Sequence, residues 1–311
     1  MSNPWAAMFP GQGSQYVGMG RALYDAFETA RETFQEADEA LSYKLSDVIF
    51  NGPESVLEDT EVQQPAILTV SVAAWRALGQ ERPDIKPEVG FGLSLGEYSA
   101  YVATGLLAFP DAVRVTRIRG RAMQNAVPKG EGGMAAVLGL NKEQVEAICR
   151  EASHRGVVDP ANFNAPGQIV ISGQMAGVEL AEELIRAAGG RAVRLAVSAP
   201  FHSRLLASAG EAVQAALNDV ALRPAAFPVL ANVDAEYCAH PEEAVPRLVA
   251  QVSRPVLFEA SVRRALADGI RRFVELGPGR SLASLVKKID RKAEIVSVQD
   301  PEGLTKALEL V

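Results

Sequence analysis

Residues 5–9 are apolar throughout and Pro10 stops the run, which predicts a short strand buried on both faces. Gly11-Gln12-Gly13-Ser14-Gln15 follows as a glycine-rich turn ahead of a helical stretch. Apolar positions recur with helical spacing over 60–78, a second short strand is predicted at 87–92, and a helix runs from Glu97 onward. The texture changes over about 128–198. There, strands at 134–139, 168–172 and 192–197 alternate with amphipathic helices at 142–153 and 178–188, the pattern of a small sheet covered by helices. A buried strand at 271–276 and a turn at Gly277-Pro278-Gly279 return to the first texture. The order is a large unit, an insert, and the large unit again.

Composition supports a folded α/β chain and removes several functions. The 311 residues are 48% hydrophobic and 22% charged, enough apolar material for a sizeable core. With 31 Lys and Arg against 38 Asp and Glu, the net charge of −7 speaks against a general nucleic-acid binder. No basic-then-apolar leader opens the chain and no run of about 18 apolar residues crosses it, so a cytoplasmic protein without membrane association is expected. Two cysteines are too few for a disulfide framework. Cys149 falls on a helical pattern, where a small buried residue is expected, and Cys238 in a polar stretch without a nucleophile motif.

The candidate chemistry sits at Gly92-Leu93-Ser94-Leu95-Gly96, a G-x-S-x-G pattern between a short strand and a helix. A serine on such a turn is pushed out of the sheet, and the flanking glycines permit close packing. The helix behind it offers unpaired N–H groups to an oxyanion, Leu95 first among them. By itself the pentapeptide fits a plain turn with a capping serine equally well. Gly11-Gln12-Gly13 leaves the same choice between a turn and a phosphate loop, although Tyr16 replaces the third glycine of the dinucleotide pattern.

Four segments together decide more. Phe9-Pro10-Gly11-Gln12-Gly13-Ser14-Gln15, the run from Gly92 to Ala100, Ala161-Asn162-Phe163-Asn164-Ala165-Pro166-Gly167-Gln168 and Glu275-Leu276-Gly277-Pro278-Gly279 resemble, in order, the malonyl-CoA:acyl carrier protein transacylase family. The resemblance covers essentially the whole chain. It implies a large α/β-hydrolase-like domain with a parallel sheet at 1–127 and 199–311, and a small ferredoxin-like α+β subdomain at 128–198. It also implies malonyl transfer from coenzyme A to the phosphopantetheine thiol of acyl carrier protein through a malonyl-serine. Malonyl-CoA and the carrier protein are then the partners, with no resident cofactor or metal and a monomeric enzyme.

Residue by residue, the resemblance makes Ser94 the nucleophile and His202 its base. Of the three histidines, His202 alone follows a strand and opens a helix, whereas His154 ends a helix and His240 lies in a polar turn. Serine nucleophiles need such a base, because the free hydroxyl is a weak nucleophile at neutral pH. The resemblance supplies the backbone carbonyl of Gln251 to orient the imidazole, and the N–H groups of Gln12 and Leu95 as the oxyanion hole. It selects Arg119, among four arginines in 114–121, as partner of the substrate carboxylate, which a guanidinium fork accepts through two parallel hydrogen bonds.

Gln64 and Asn162 are candidate pocket residues, and a helix-start cap or loop hydrogen bond accounts for either equally. Phe201 resembles the residue before the base in malonyl-selective relatives, where its bulk resists a 2-methyl branch. Leu93 departs from the family, which often carries His there. A basic rim is expected from Arg117, Arg121, Lys287, Lys288, Arg291 and Lys292. The rival readings are a malonyl acyltransferase serving a polyketide synthase, a serine esterase or thioesterase, and a non-catalytic docking module.

Overall fold

The computed structural model describes residues 4–197 and 199–311. Along the chain its strands are β1 (Trp5–Phe9), β2 (Val89–Gly92), β3 (Gly132–Leu138), β4 (Val158–Ala165), β5 (Gln168–Gln174), β6 (Arg191–Arg194), β7 (Val229–Leu230), β8 (Tyr237–Cys238), β9 (Arg272–Leu276) and β10 (Glu294–Val298). They form two sheets. The larger has the order β10-β9-β1-β2-β7-β8 and is parallel apart from the β7–β8 edge. Its central strand β1 is buried at all five positions, as a strand covered on both faces by helices requires. The helix Thr60–Glu81 is apolar on nearly every side and correspondingly buried.

The smaller sheet is antiparallel throughout, in the order β4-β5-β3-β6. With helices Lys142–Ala152 and Met175–Ala187 packed on it, the connectivity is β-α-β-β-α-β, the ferredoxin-like arrangement. The expected α/β architecture with an inserted α+β unit is therefore the one observed. β4 is tied to the large unit at Val256, ahead of helix Phe258–Ala267: Phe163 N–H donates to the Val256 carbonyl at 2.9 Å and Val256 N–H to the Ala161 carbonyl at 2.8 Å.

Three local details differ from the expectations. β4 was not anticipated, because Pro160 and two asparagines interrupt its apolar alternation and two register shifts bend it. The strand expected over 192–197 ends at Arg194. Cys238, expected in a polar stretch, is fully buried on β8. The opening residues 1–3, where no leader was expected, and Ser198, which closes the small unit's expected span, lie outside the described residues.

Candidate active site

The carboxyl ends of β1 and β2 lie side by side, Phe9 in register with Gly92, and a crevice at such strand ends is where open parallel sheets bind ligands. Ser94 is the hinge between β2 and the helix Leu95–Ala103, with φ 55° and ψ −103°, a conformation that non-glycine residues rarely adopt. The glycines around it make the turn possible by close approach. A Cβ on Gly96 would lie 2.0 Å from the Phe9 carbonyl oxygen, and one on Gly11 would lie 2.2 Å from that of Leu93. The loop carrying Gln12 is thereby pressed against the turn, and Gln12 and Ser94 line one cavity of about 580 Å³.

Asn232 braces the turn from the other side. Its Oδ1 accepts from Ser94 N–H at 2.7 Å and its Nδ2 donates to the Gly92 carbonyl at 2.8 Å. Of the N–H groups that open the helix, those of Gly96 and Glu97 donate to the Leu93 and Ser94 carbonyls. Leu95 holds the first helical position, directly after the serine.

The hydroxyl of Ser94 has two partners from distant parts of the chain. Nε2 of His202 lies 2.7 Å away, and Nη2 of Arg119 donates to the same oxygen at 2.9 Å. The other imidazole nitrogen, Nδ1, is 2.7 Å from the carbonyl of Gln251. A carbonyl only accepts, so Nδ1 carries the proton and Nε2 is left as the acceptor facing Ser94. Burial, and then the nearby Arg119 charge, hold the His202 pKa down to about 3, so the ring is neutral at physiological pH. His202 itself adopts φ 59°, and the turn after it is tied to β4. Asp159 accepts from Ser203 Oγ at 2.9 Å and from Arg204 N–H at 3.0 Å.

Arg119 is 1% exposed, on the helix Phe109–Asn125. Nη1 donates to Gln64 Oε1 at 2.7 Å and Nη2 also donates to Gln251 Oε1 at 2.8 Å, while Nε has no acceptor among the described residues. All of these partners are neutral. Among the described residues, none of the ion pairs includes Arg119. A buried guanidinium so placed is short of an anion. Gln64 is therefore a support of the guanidinium, fully buried, and no helix-start cap. Asn162 and Phe201, both nearly buried, line the cavity together with Leu93 and Met123.

The rim is less uniformly basic than expected. Arg117 and Arg121 are both paired with Glu61, at 2.9 and 3.5 Å. Lys288 borders the cavity and donates to Gln168 Oε1 at 2.6 Å. Both cysteines are buried, with thiol pKa values raised by burial, so neither is an activated thiolate.

The sequence reading missed three features of the site: Asn232, the carboxylate of Glu97, and the side chain of Gln251. Glu97 left a signal, being the only charged residue between Glu88 and Asp111. Asn232 left none, lying in an ordinary turn pattern. The family motif Glu275-Leu276-Gly277-Pro278-Gly279 has a local structural use: the Glu275 carboxylate accepts from the N–H groups of Leu282 and Ala283, both at 3.0 Å, at the start of helix Ser281–Ile289.

A parallel α/β sheet with an inserted ferredoxin-like unit, and a hydroxyl–imidazole pair at its strand ends, defines an α/β protein that handles acyl groups. The acyl transferase domain family matches residues 7–302. A malonyl CoA-acyl carrier protein transacylase of Bacillus subtilis is 44% identical over 98% of this chain and 96% of its own length. The solved acyl-carrier-protein S-malonyltransferase of Burkholderia pseudomallei is 43% identical, with TM-score 0.96 over 99% of this chain and 100% of that one. A malonyl-transacylase solved with a type II PKS acyl-carrier protein is 40% identical, with TM-score 0.95 over 99% of each chain. This chain belongs to the acyl transferase family, among the malonyl CoA-acyl carrier protein transacylases.

Proposed function

We propose that the chain moves a malonyl group from malonyl-CoA to the phosphopantetheine thiol of an acyl carrier protein, through a malonyl ester on Ser94. The observation that carries this reading is the buried Arg119, which has no carboxylate partner and touches the Ser94 hydroxyl. The family names support the same cargo.

In the first half, His202 Nε2 takes the Ser94 proton as Oγ attacks the thioester carbon. The N–H groups of Gln12 and Leu95 receive the developing oxyanion, where preorganised donors lower the barrier most. Collapse breaks the carbon–sulfur bond, and His202 returns the proton to the leaving thiolate of coenzyme A. In the second half, the carrier thiol gives its proton to His202, its sulfur attacks the ester, and Ser94 recovers its proton. Arg119 holds the malonyl carboxylate throughout, its bond to the Ser94 hydroxyl giving way to the anion while Gln64 and Gln251 stay on the guanidinium. Gln251 orients the imidazole through its carbonyl and steadies Arg119 through its side chain. Gln64 shares that second task, while Asn162 and Phe201 shape the acyl pocket.

The active unit in this reading is a cytoplasmic monomer with no resident cofactor, feeding fatty-acid synthesis. Its small unit spans 128–198 and carries one wall of the cavity. Among the described residues no helix is long and apolar enough to cross a membrane.

The test is transfer of labelled malonyl from malonyl-CoA to carrier protein with and without the phosphopantetheine arm. Label is expected on the armed carrier only, and faster than free malonate appears. Release of malonate as the main product, with hydrolysis of neutral esters, would make the chain an esterase instead.

A further inference from the structure

A buried carboxylate lies beneath the site and takes no part in the chemistry described so far. Glu97 is 0% exposed, on the first turn of the helix that Ser94 opens. Its Oε2 accepts from Gln251 Nε2 at 2.7 Å and from Asn232 N–H at 3.0 Å, while Oε1 has no partner among the described residues. Gln251 in turn accepts from Arg119 at 2.8 Å. One amide therefore separates a buried cation from a buried anion, and among the described residues neither is in an ion pair. Asn232, on the same carboxylate, braces the Ser94 backbone.

Resting on the malonyl-transfer reading, we infer that Glu97 is a positioning residue and the resident counter-charge of Arg119, coupled to it through Gln251. When the malonyl carboxylate reaches Arg119, it displaces Glu97 from that role, and Glu97 takes up a proton. Two anions cannot share one buried cation without cost, because each disfavours ionisation of the other. The substrate carboxylate, a stronger acid in direct contact, keeps its charge.

The surrounding groups leave Glu97 as the one that responds. Burial pushes its pKa up to about 7, against the opposing pull of its hydrogen bonds and of Arg119. Asp234, the other nearby carboxylate, is paired with Arg247 at 2.8 Å. Tyr98 and Tyr101 on the same helix, and Cys238 on β8, have pKa values raised by burial. His202 is held near 3. The acylation step itself is proton-neutral near pH 7, since the serine proton leaves on the coenzyme A thiol.

The experiment mixes the full-length protein with malonyl-CoA at pH 7 in weak buffer containing a pH indicator, with acylation followed by intact mass. Uptake of up to about half a proton per malonyl-enzyme is expected, and none with acetyl-CoA, which brings no second anion. The wild-type KM for malonyl-CoA should rise between pH 6 and pH 8 as Glu97 ionises. Glu97→Gln should abolish both effects and lower that KM at pH 8 on the order of tenfold, the cost of protonating at pH 8 a carboxyl whose pKa is about 7.

A malonyl-enzyme that forms without proton uptake overturns the inference. So does a Glu97→Gln enzyme that loses kcat alike for malonyl and acetyl while keeping the wild-type pH trend in KM. If that variant does not fold, the wild-type uptake decides alone. If no malonyl-enzyme forms at all, the transfer reading fails and the inference falls with it.

Discussion

The guanidinium of Arg119 donates a hydrogen bond to the hydroxyl of Ser94, 2.9 Å away. Arg119 is thus within one bond of the atom that would carry the acyl group. A carboxylate two carbons beyond the ester carbonyl can reach the same fork, whereas an acetyl group presents nothing to it. Arg119→Ala should therefore lower malonyl transfer by roughly 2–5 kcal/mol, or about 30- to several-thousand-fold, and leave acetyl transfer equal or faster. Parallel initial-rate measurements with the two thioesters check this. An equal loss for both would remove Arg119 from the selectivity.

The neutral state of His202 has a pH signature. Because its pKa is lowered to about 3, the base stays unprotonated as the pH falls from 7 to 5. An imidazole at the ordinary value of about 6.5 would lose roughly 30-fold of its neutral form by pH 5. Single-turnover acylation at saturating malonyl-CoA should fall less than about twofold over that range. A loss centred near pH 6.5 would mean that the ring is far better solvated than its burial indicates.

Two glycines separate close packing from simple helix propensity. In Gly96→Ala the new carbon would meet the Phe9 carbonyl oxygen at 2.0 Å, and backbone must move. A loss of about 3 kcal/mol or more in denaturant unfolding is expected, at the upper end of overpacking costs. In Gly79→Ala, inside helix Thr60–Glu81, the carbon would have open space and should gain roughly 0.5–1 kcal/mol.

The base-bearing turn should depend on the small sheet. Asp159 on β4 holds Ser203 and Arg204, the two residues after His202. Asp159→Ala should slow acylation by about 10- to 100-fold, the scale of a 1 Å misplacement, without changing the KM for malonyl-CoA. Asp159→Asn keeps an acceptor for both and should restore much of the rate, as rapid-quench acylation would show.

Much of the fold was legible because glycine, proline and apolar runs punctuate the chain at its element ends. β1 could be read to the residue because it is apolar throughout, and β9 nearly so because its apolar core ends at the Gly277-Pro278-Gly279 turn. β4 could not, because half of its pattern is set by the cavity and by its link to Val256. The site divides along the same line. The Gly92–Gly96 turn is a local pattern and visible as such. The pairing of Ser94 with His202 spans 108 positions, and only the family resemblance could suggest it before the structure placed the atoms 2.7 Å apart. Asn232 and Glu97 act by hydrogen bonding across the buried face of the turn, a relation that no spacing in the chain encodes.

The claim on which everything rests is that Ser94 carries the malonyl group between the two thiols. Its most direct test is to quench the protein with malonyl-CoA, digest it, and weigh the peptide that contains residue 94, in wild type and in Ser94→Ala. The expected result is a malonyl adduct on that peptide that disappears when armed carrier protein is added, with neither adduct nor transfer in Ser94→Ala. Full transfer by Ser94→Ala, or an adduct on any other residue that discharges to the carrier, would contradict it.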